Sequence, residues 1–507
     1  MGYDLIYSEA CFLLNEGDAV ELSERSVVDR VPKDLFIGGE WKKSSDGKRF
    51  KVEDPATKEV IAEVADGTPD DGLAALNAAD LAQRSWGRTA PRVRAEMLRK
   101  AYELTVAQQD DLALLMTLEM GKPIAESRGE VLYAAEFLRW FSEEAVRVKG
   151  EYYMGPEGSM KILTQKQPVG PSYMITPWNF PLAMATRKLG PALAAGCTAI
   201  VKPAELTPLT MAAFFHILEE AGVPSGVVNL VHTTDPGGLT KPLVEDRRLR
   251  KLSFTGSTEV GKMLMAQASH NLLRLSMELG GNAPLIVFED ADLEKAIQGA
   301  MLAKLRNTGE ACTSANRIFV QRGIAEEFSL ALKTRFESLK VGRGTEAGVE
   351  VGPLVEQAAV DKVQRLVTDA RNKGAKVVAG GSSFGPGYFY QPTIVLGVDS
   401  SFEIANEEIF GPVAALFVFD TEEEVIELAN STSYGLVAYL FTESLNRALR
   451  VIERLETGMV GVNQGLVSNA AAPFGGVKHS GFGREGGFEG IEEYLYVKYA
   501  AINASTL

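Results

Sequence analysis

Cysteine is scarce. Cys11, Cys197 and Cys312 are the three in 507 residues, with no CxxC pair, too few for a disulfide framework. The four histidines lack metal-ligand spacing, so no structural metal is expected. Long apolar runs are missing as well: stretches such as ALAAGCTAIV from Ala192 to Val201 fall short of the roughly 18 residues that suggest a membrane span. Basic residues number 52 against 67 acidic ones, a net charge of -15 with no local basic patch, which argues against a nucleic-acid partner. The opening MGYDLIYSEACF lacks the basic region of a secretory signal, and Ile6 breaks the myristoylation pattern. A protein of the reducing cytosol, off the membrane, is expected.

What is present fits a globular enzyme. Hydrophobic residues at 46% and charged residues at 23% are near globular averages, which excludes long disorder, and the length allows about three domains. Residues 1 to 33 are acidic and weakly patterned and read as an extension; LFIGGEW from Leu35 to Trp41 then reads as a strand and turn. From about Asp70 to Gly150, helical spacing of apolar residues predominates, as in Leu132, Ala135, Leu138 and Phe141. TAIVKP, a helix near Met211 to Ala221, VVNLV, and KLSFTG with a following helix then alternate, the pattern of a parallel sheet with crossover helices. A second alternating block runs from APLIVF at Ala283 through RIFV and a helix around Ala325 to Ser338 to VAALFVF at Val413. The fold class is α/β. GGSSFGPGY from Gly380 and PFGGVKHSGFGREGG from Pro473 read as loops, and there is no internal repeat.

Several residues suit chemistry. Cys312, in RNTGEACTSANR, lies between a helix and the RIFV strand, where a loop presents sulfur to a cleft. A thiol near neutral pH needs a base or a positive field to react. A lone cysteine also serves as a small buried hydrophobe, the reading given to Cys11 and Cys197. Glu278 in MELGGNAP is a candidate base or else a solvated carboxylate; Gly280 and Gly281 beside it permit close backbone approach. Asn179 in TPWNFP is either a rigid donor to an oxyanion or a turn asparagine. Lys202 and Glu205 in KPAELTP sit at the carboxyl end of a strand, where open sheets bind ligands; a carboxylate there accepts ribose hydroxyls and repels a 2′-phosphate, favouring NAD over NADP. A surface Lys/Glu pair is the plainer alternative. FTGSTEVG puts Gly256 in a turn and Ser257 at a helix start suited to pyrophosphate, although it does not match GxGxxG.

Taken in order, TPWNFP, KPAE, FTGSTEVG, MELGGNAP, GEAC, EEIFGPV and PFGGVKHSGFGRE make the chain resemble the aldehyde dehydrogenase superfamily from about residue 35 to residue 500. The resemblance implies a Rossmann-like cofactor domain (34–150 and 171–277), an α/β catalytic domain (278–482) and a small β oligomerisation element (151–170 and 483–507) that joins a homodimer or homotetramer. It implies attack by Cys312 on an aldehyde, an oxyanion held by Asn179, hydride transfer to NAD (NADP being possible), and hydrolysis of the thioester by water that Glu278 activates, with Lys188 and Glu485 in a proton relay. Lys202 and Glu205 would address the adenosine ribose, Ser257 the pyrophosphate, and Glu408, Phe410 and Trp178 the nicotinamide region.

Within the superfamily the chain is similar to the succinate-semialdehyde dehydrogenases, through ATRKLGPALAAGCTAIVKPAE, KLRNTGEAC and GLVSNAAAPFGG. Arg187, Arg306 and Ser468 match that group's carboxylate-binding positions and imply a small semialdehyde substrate. Departures from the pattern are Glu310 where Gln is frequent, Ser314 where a second cysteine occurs in relatives, which removes a local disulfide switch, and His232-Thr233-Thr234 in place of a glycine-containing turn. Another short carboxylated semialdehyde is the alternative substrate. A cysteine-dependent esterase needs the same cysteine, base and oxyanion donor, and a nonenzymatic structural protein needs none of them.

Overall fold

The computed structural model describes residues 24–504, so Cys11 and most of the expected extension lie outside the described residues. The part of that extension that is described is ordered: Glu24–Arg30 is a helix whose Val27 and Val28 are buried in the main core, and Glu24 pairs with Arg343 at 2.8 Å.

The first sheet has eight strands, in the order Glu40–Lys42, Leu35–Ile37, Val228–Leu230, Ala199–Lys202, Ser172–Ile175, Lys251–Thr255, Arg274–Glu278 and Gly481–Phe482. Its central strands are parallel and wholly buried, which explains the unbroken apolar run AIV at Ala199; in KLSFT the alternating Lys251 and Ser253 are buried as well and take up polar partners, Lys251 Nζ donating to Ser276 Oγ at 2.5 Å and Ser253 Oγ accepting from Lys188. The register sets Ile175 beside Lys202 and Thr255 beside Glu278. The carboxyl ends that carry Asn179, Glu205, Ser257 and Glu278 therefore open on one rim. Helices cover the sheet. Ala183–Ala195 is buried along its whole length and stops at Gly196, whose φ of 94° lets the chain turn back into the strand at Ala199.

The second sheet has seven strands, in the order Lys376–Ala379, Thr393–Leu396, Val413–Phe419, Ala315–Gln321, Ala283–Val287, Val437–Phe441 and Met459–Val462, parallel except for the first. Cys312 lies three residues before Ala315, at the amino end of its strand, so the two sheets meet at the site from opposite strand ends. A third sheet joins Tyr152–Met154, Met160–Pro168 and Leu495–Asn503 in antiparallel pairing.

Two segments expected as loops carry strands. The glycine-rich stretch from Gly380 folds into a small hairpin, Ser383–Phe384 against Phe389–Tyr390, because Gly385 at φ 70° supplies the turn. In the stretch from Pro473, Gly481–Phe482 is the edge strand beside Glu278, where a side chain at Gly481 would strike the Met277 carbonyl. Glycine there is a requirement for close pairing, and its abundance concealed the strand.

Candidate active site

Cys312 follows a turn built from left-handed residues: Asn307 at φ 55°, Thr308 at φ 57° and Gly309 at φ 79°. Such conformations cost roughly 1–3 kcal/mol each for non-glycine residues and persist where the surroundings enforce them. The enforcement is visible. Asn307 Nδ2 donates to the carbonyls of Glu310 at 2.9 Å and Asn179 at 3.0 Å, while its N–H reaches the Glu126 carboxylate at 2.5 Å. Asn179 Nδ2 in turn donates to the Glu310 carbonyl at 3.0 Å, which orients the amide and leaves its second N–H unassigned. The Cys312 N–H has no partner among the described residues, a second donor for a negative oxygen. Gly281 passes so close to the Cys312 carbonyl that a side chain would collide with it.

Cys312, Asn179, Trp178, Ser257, Glu408 and Phe410 line one cavity of about 330 Å³. Trp178 and Phe410 stand edge to face at 5.4 Å, and Glu408 Oε1 accepts the Gly281 N–H at 2.9 Å. Desolvation pushes the Glu408 carboxyl up to about 7. Lys202 and Glu205 are paired at 3.7 Å, the lysine buried and the glutamate half-exposed, but neither lines this cavity. The motifs gave no sign of Glu356, Ala359 and Lys362, which close it from the other side. They come from a segment whose helix, Gln357–Asn372, looks like any amphipathic surface helix in sequence.

The rim formed by Thr255, Gly256 and Ser257 would suit a dinucleotide: Thr255 buries a hydroxyl with no hydrogen-bond partner. Ser257 caps the helix Thr258–Ala268 by accepting the Val260 N–H, so that helix's amino terminus opens beside Gly256. The His232 segment is structural: His232 Nδ1 lies 2.6 Å from the Ala65 carbonyl, burial drives the imidazole down to about 4, and Thr234 binds Asp66.

Behind Cys312 sits a buried charge network. Arg187 Nη2 is 3.1 Å from Glu278 Oε2 and 2.5 Å from Glu485 Oε2, and its guanidinium stacks 4.1 Å from the Phe474 ring. Lys188 pairs with the other Glu485 oxygen and donates to Ser253 Oγ at 3.1 Å. Burial raises Glu278 above the usual carboxylate range, only partly offset by Arg187. Burial presses Glu485 the same way, but Arg187 and Lys188 together overcome it and hold that carboxylate well below its usual range. The Cys312 thiol is pushed up by desolvation and then by Glu278, so at rest it is protonated and attack must coincide with proton removal.

Arg187, Arg306 and Ser468 surround the buried hydroxyl of one residue that sequence reasoning missed, Tyr133, whose pKa burial raises while the two arginines and Ser468 oppose the rise. Arg306 lies 4.6 Å from the Phe180 ring centre and 6.0 Å from that of Tyr133, with no hydrogen bond or ion pair among the described residues. Arg187, by contrast, already carries two carboxylates. Glu310, at the position where Gln is frequent, is wholly buried, and desolvation pushes its carboxyl well above the ordinary range while the Val355 N–H, donating to it at 3.1 Å, opposes that rise.

The aldehyde dehydrogenase family profile matches residues 41–500. A succinate-semialdehyde dehydrogenase of Paenarthrobacter nicotinovorans is 58% identical over 87% of this chain and 99% of its own length. A glutarate-semialdehyde dehydrogenase of Pseudomonas putida is 47% identical over 92% of this chain and 97% of its own. Among solved structures, an E. coli NADP-dependent enzyme superposes with a TM-score of 0.92 at 46% identity, covering 93% of this chain and 98% of that one.

Proposed function

The chain belongs to the aldehyde dehydrogenase family, and on that premise we propose that it oxidises succinate semialdehyde to succinate with NAD(P), NAD being preferred. The observation that carries the substrate is Arg306, an unpaired guanidinium on aromatic rings within electrostatic reach of the Cys312 thiol. With Arg187, Ser468 and the Tyr133 hydroxyl it offers a remote carboxylate charge and hydrogen bonds. The alternative is a carboxylated semialdehyde one carbon longer, favoured by the glutarate-semialdehyde relative.

In this reading the Cys312 S–H bond breaks, its proton passing to water, as the sulfur bonds to the aldehyde carbon, and the resulting oxyanion is held by the Asn179 amide and the Cys312 N–H. When bound, the dinucleotide supplies the acceptor for the hydride that leaves as the thiohemiacetal becomes a thioester. Glu278 then takes a proton from water as its oxygen bonds to the acyl carbon, the carbon–sulfur bond breaks, and the acid departs. Lys188 and Glu485 pass the proton onward. Lys202 and Glu205 bind the adenosine ribose, Ser257 the pyrophosphate, and Glu408, Phe410 and Trp178 the nicotinamide end. NAD is favoured by Glu205, whose charge adds to the burial that raises the cavity-lining Glu356 and would repel a 2′-phosphate, in contrast to the NADP-dependent E. coli enzyme.

The protein is assigned to the cytosol, consistent with Cys197 and Cys312 both being free; no helix among the described residues is long and apolar enough to cross a membrane. Its partners are other copies of the chain through the third sheet. The deciding experiment measures kcat/KM for succinate semialdehyde, glutarate semialdehyde and butanal with each dinucleotide. The four-carbon acid with NAD should lead; a preference for butanal rejects the carboxylate pocket.

A further inference from the structure

Arg187 is an awkward residue for a simple clamp. It is 1% exposed, and the group expected to grip substrate already holds the expected base, with Nη2 at 3.1 Å from Glu278 Oε2. The other Glu278 oxygen, Oε1, is buried without a partner. A carboxylate held this way is restrained: turning toward the acyl carbon on Cys312 strips Arg187 of half its counter-charge in a water-poor site. The two carboxylates on Arg187 are not equally fixed. Glu485 is also bound by Lys188, and its backbone is bridged to Phe474 by a pair of hydrogen bonds at 2.8 and 2.9 Å. Glu278 ends its strand, followed by Leu279 and two glycines, and Arg187 is its one hydrogen-bonded side-chain partner among the described residues. Of the pair, Glu278 is the replaceable one.

We propose that Arg187 is a latch on Glu278 which the substrate's remote carboxylate opens, taking the Nη2 contact and freeing Glu278 to serve the acyl-enzyme on Cys312. The exchange replaces one carboxylate by another, so Arg187 keeps its counter-charge throughout; losing Glu278 with no replacement is the costly alternative. Arg306 and Ser468 receive the second oxygen of the incoming group. Once freed, Glu278 accepts a proton from water as the carbon–oxygen bond forms and the Cys312 thiolate leaves. Selectivity for acidic aldehydes then appears in the rate of deacylation as well as in KM, because a neutral aldehyde fills the site with the latch shut. Arg187 is thus a positioning residue for the base as well as a binding residue. The proposal rests on the carboxylated-substrate reading above.

The test cuts the substrate at its central bond. An activated acetyl ester acylates Cys312 without any dinucleotide, and acetate is then added at concentrations that compete with succinate semialdehyde, with chloride at equal ionic strength as control. Acetate should speed loss of the acetyl group about tenfold, a modest part of what a general base contributes. Arg187→Met should deacylate at a rate that acetate does not change, with its acid limb moved to higher pH because Glu278 has lost its counter-charge; a variant that still responds to acetate overturns the latch. A crystal structure with succinate bound should show Glu278 out of hydrogen-bond range of Arg187. Unchanged deacylation with acetate, or Glu278 still on Arg187 beside bound succinate, overturns the latch. If succinate semialdehyde is nevertheless preferred over butanal, the substrate reading survives that failure. Preference for butanal overturns both.

Discussion

Glu278 and Glu205 are single carboxylates on which separate parts of the proposed chemistry rest. Glu278 acts as a base only when ionised, and burial has raised its pKa above the usual carboxylate range. Activity should therefore fall with decreasing pH at a higher value than an exposed glutamate would give. Glu278→Gln should leave a burst of NADH of about one per site followed by deacylation slowed ~10²–10⁴-fold, with that acid limb gone; stopped-flow absorbance across pH reads both, and an unaltered steady state removes Glu278 from the mechanism. Glu205 is half-exposed, and among the described residues its ion pair is with Lys202 at 3.7 Å, so its replacement should not disturb folding. Glu205→Ser removes the charge that opposes a 2′-phosphate and should move the NAD to NADP ratio of kcat/KM toward NADP by about tenfold or more. An unmoved ratio would place the discrimination elsewhere on the rim. Cys312, Asn179 and Glu278 were legible in sequence because each sits in a short motif with glycine or proline neighbours that exist to fix one backbone path. Tyr133 was not, since a tyrosine on a helix that also buries Phe137 and Phe141 is indistinguishable from core until the arginines around it are placed.

At the scale of elements, the loops that carry these residues are held by buried charges from the helical layer. Lys122 binds Glu130 at 2.5 Å and the Asn179 carbonyl at 2.7 Å, while Glu130 accepts the N–H groups of Leu182 and Ala183 at 3.0 and 3.2 Å. The Asn179 loop is clamped from both sides. Glu119 does the same for the helix Pro208–Glu220, accepting the N–H groups of Leu209 at 2.7 Å and Thr210 at 2.8 Å in place of a side-chain cap from its own Thr207. Desolvation raises Glu119 from 4.5 to about 7 against those hydrogen bonds. The folded state thus binds a proton that the unfolded chain releases, so the stabilisation is full below pH 4.5 and is lost as pH rises through about 7, a change of about 3 kcal/mol. Glu119→Gln should flatten that part of the pH dependence of denaturant unfolding; an identical slope would mean the carboxylate stays ionised throughout. The alternating blocks and the helical stretch from Asp70 were readable because periodicity and strand length are local properties. These clamps were not, because Lys122, Glu130 and Glu119 meet the loops only across the packed helices, and in sequence a charge on a helix reads as solvated. The edge strand Gly481–Phe482 was hidden for a related reason: two residues hold no period, and their pairing depends on Met277 and Glu278 about two hundred positions earlier.

At the scale of the whole molecule, the third sheet is left unfinished. Among the described residues the strands Tyr152–Met154, Met160–Pro168 and Leu495–Asn503 pair only with one another, and they expose Tyr152, Tyr153, Met154, Val497 and Tyr499 over much of their area. Large apolar side chains grouped on an exposed sheet mark an association surface, and the unpaired edge of Tyr152–Met154 offers free backbone donors and acceptors beside them. A closed symmetric oligomer that covers this sheet removes both liabilities at once. The arm is also connected to the chemistry: Lys166 pairs with Glu492, Arg274 Nη2 donates to the Glu492 carbonyl at 2.8 Å, and Arg274 opens the strand that ends in Glu278. Light scattering should report at least two copies per particle. Val497→Asp with Tyr499→Asp should shift that mass toward one chain, because each buried carboxylate without a partner costs more than the apolar contact it replaces. If association steadies the strand that ends in Glu278, the monomer should lose deacylation rate before it loses acylation of Cys312. A chain that is monomeric in the wild type would remove the oligomer, and equal loss of both half-reactions in the variant would remove the link from the arm to Glu278.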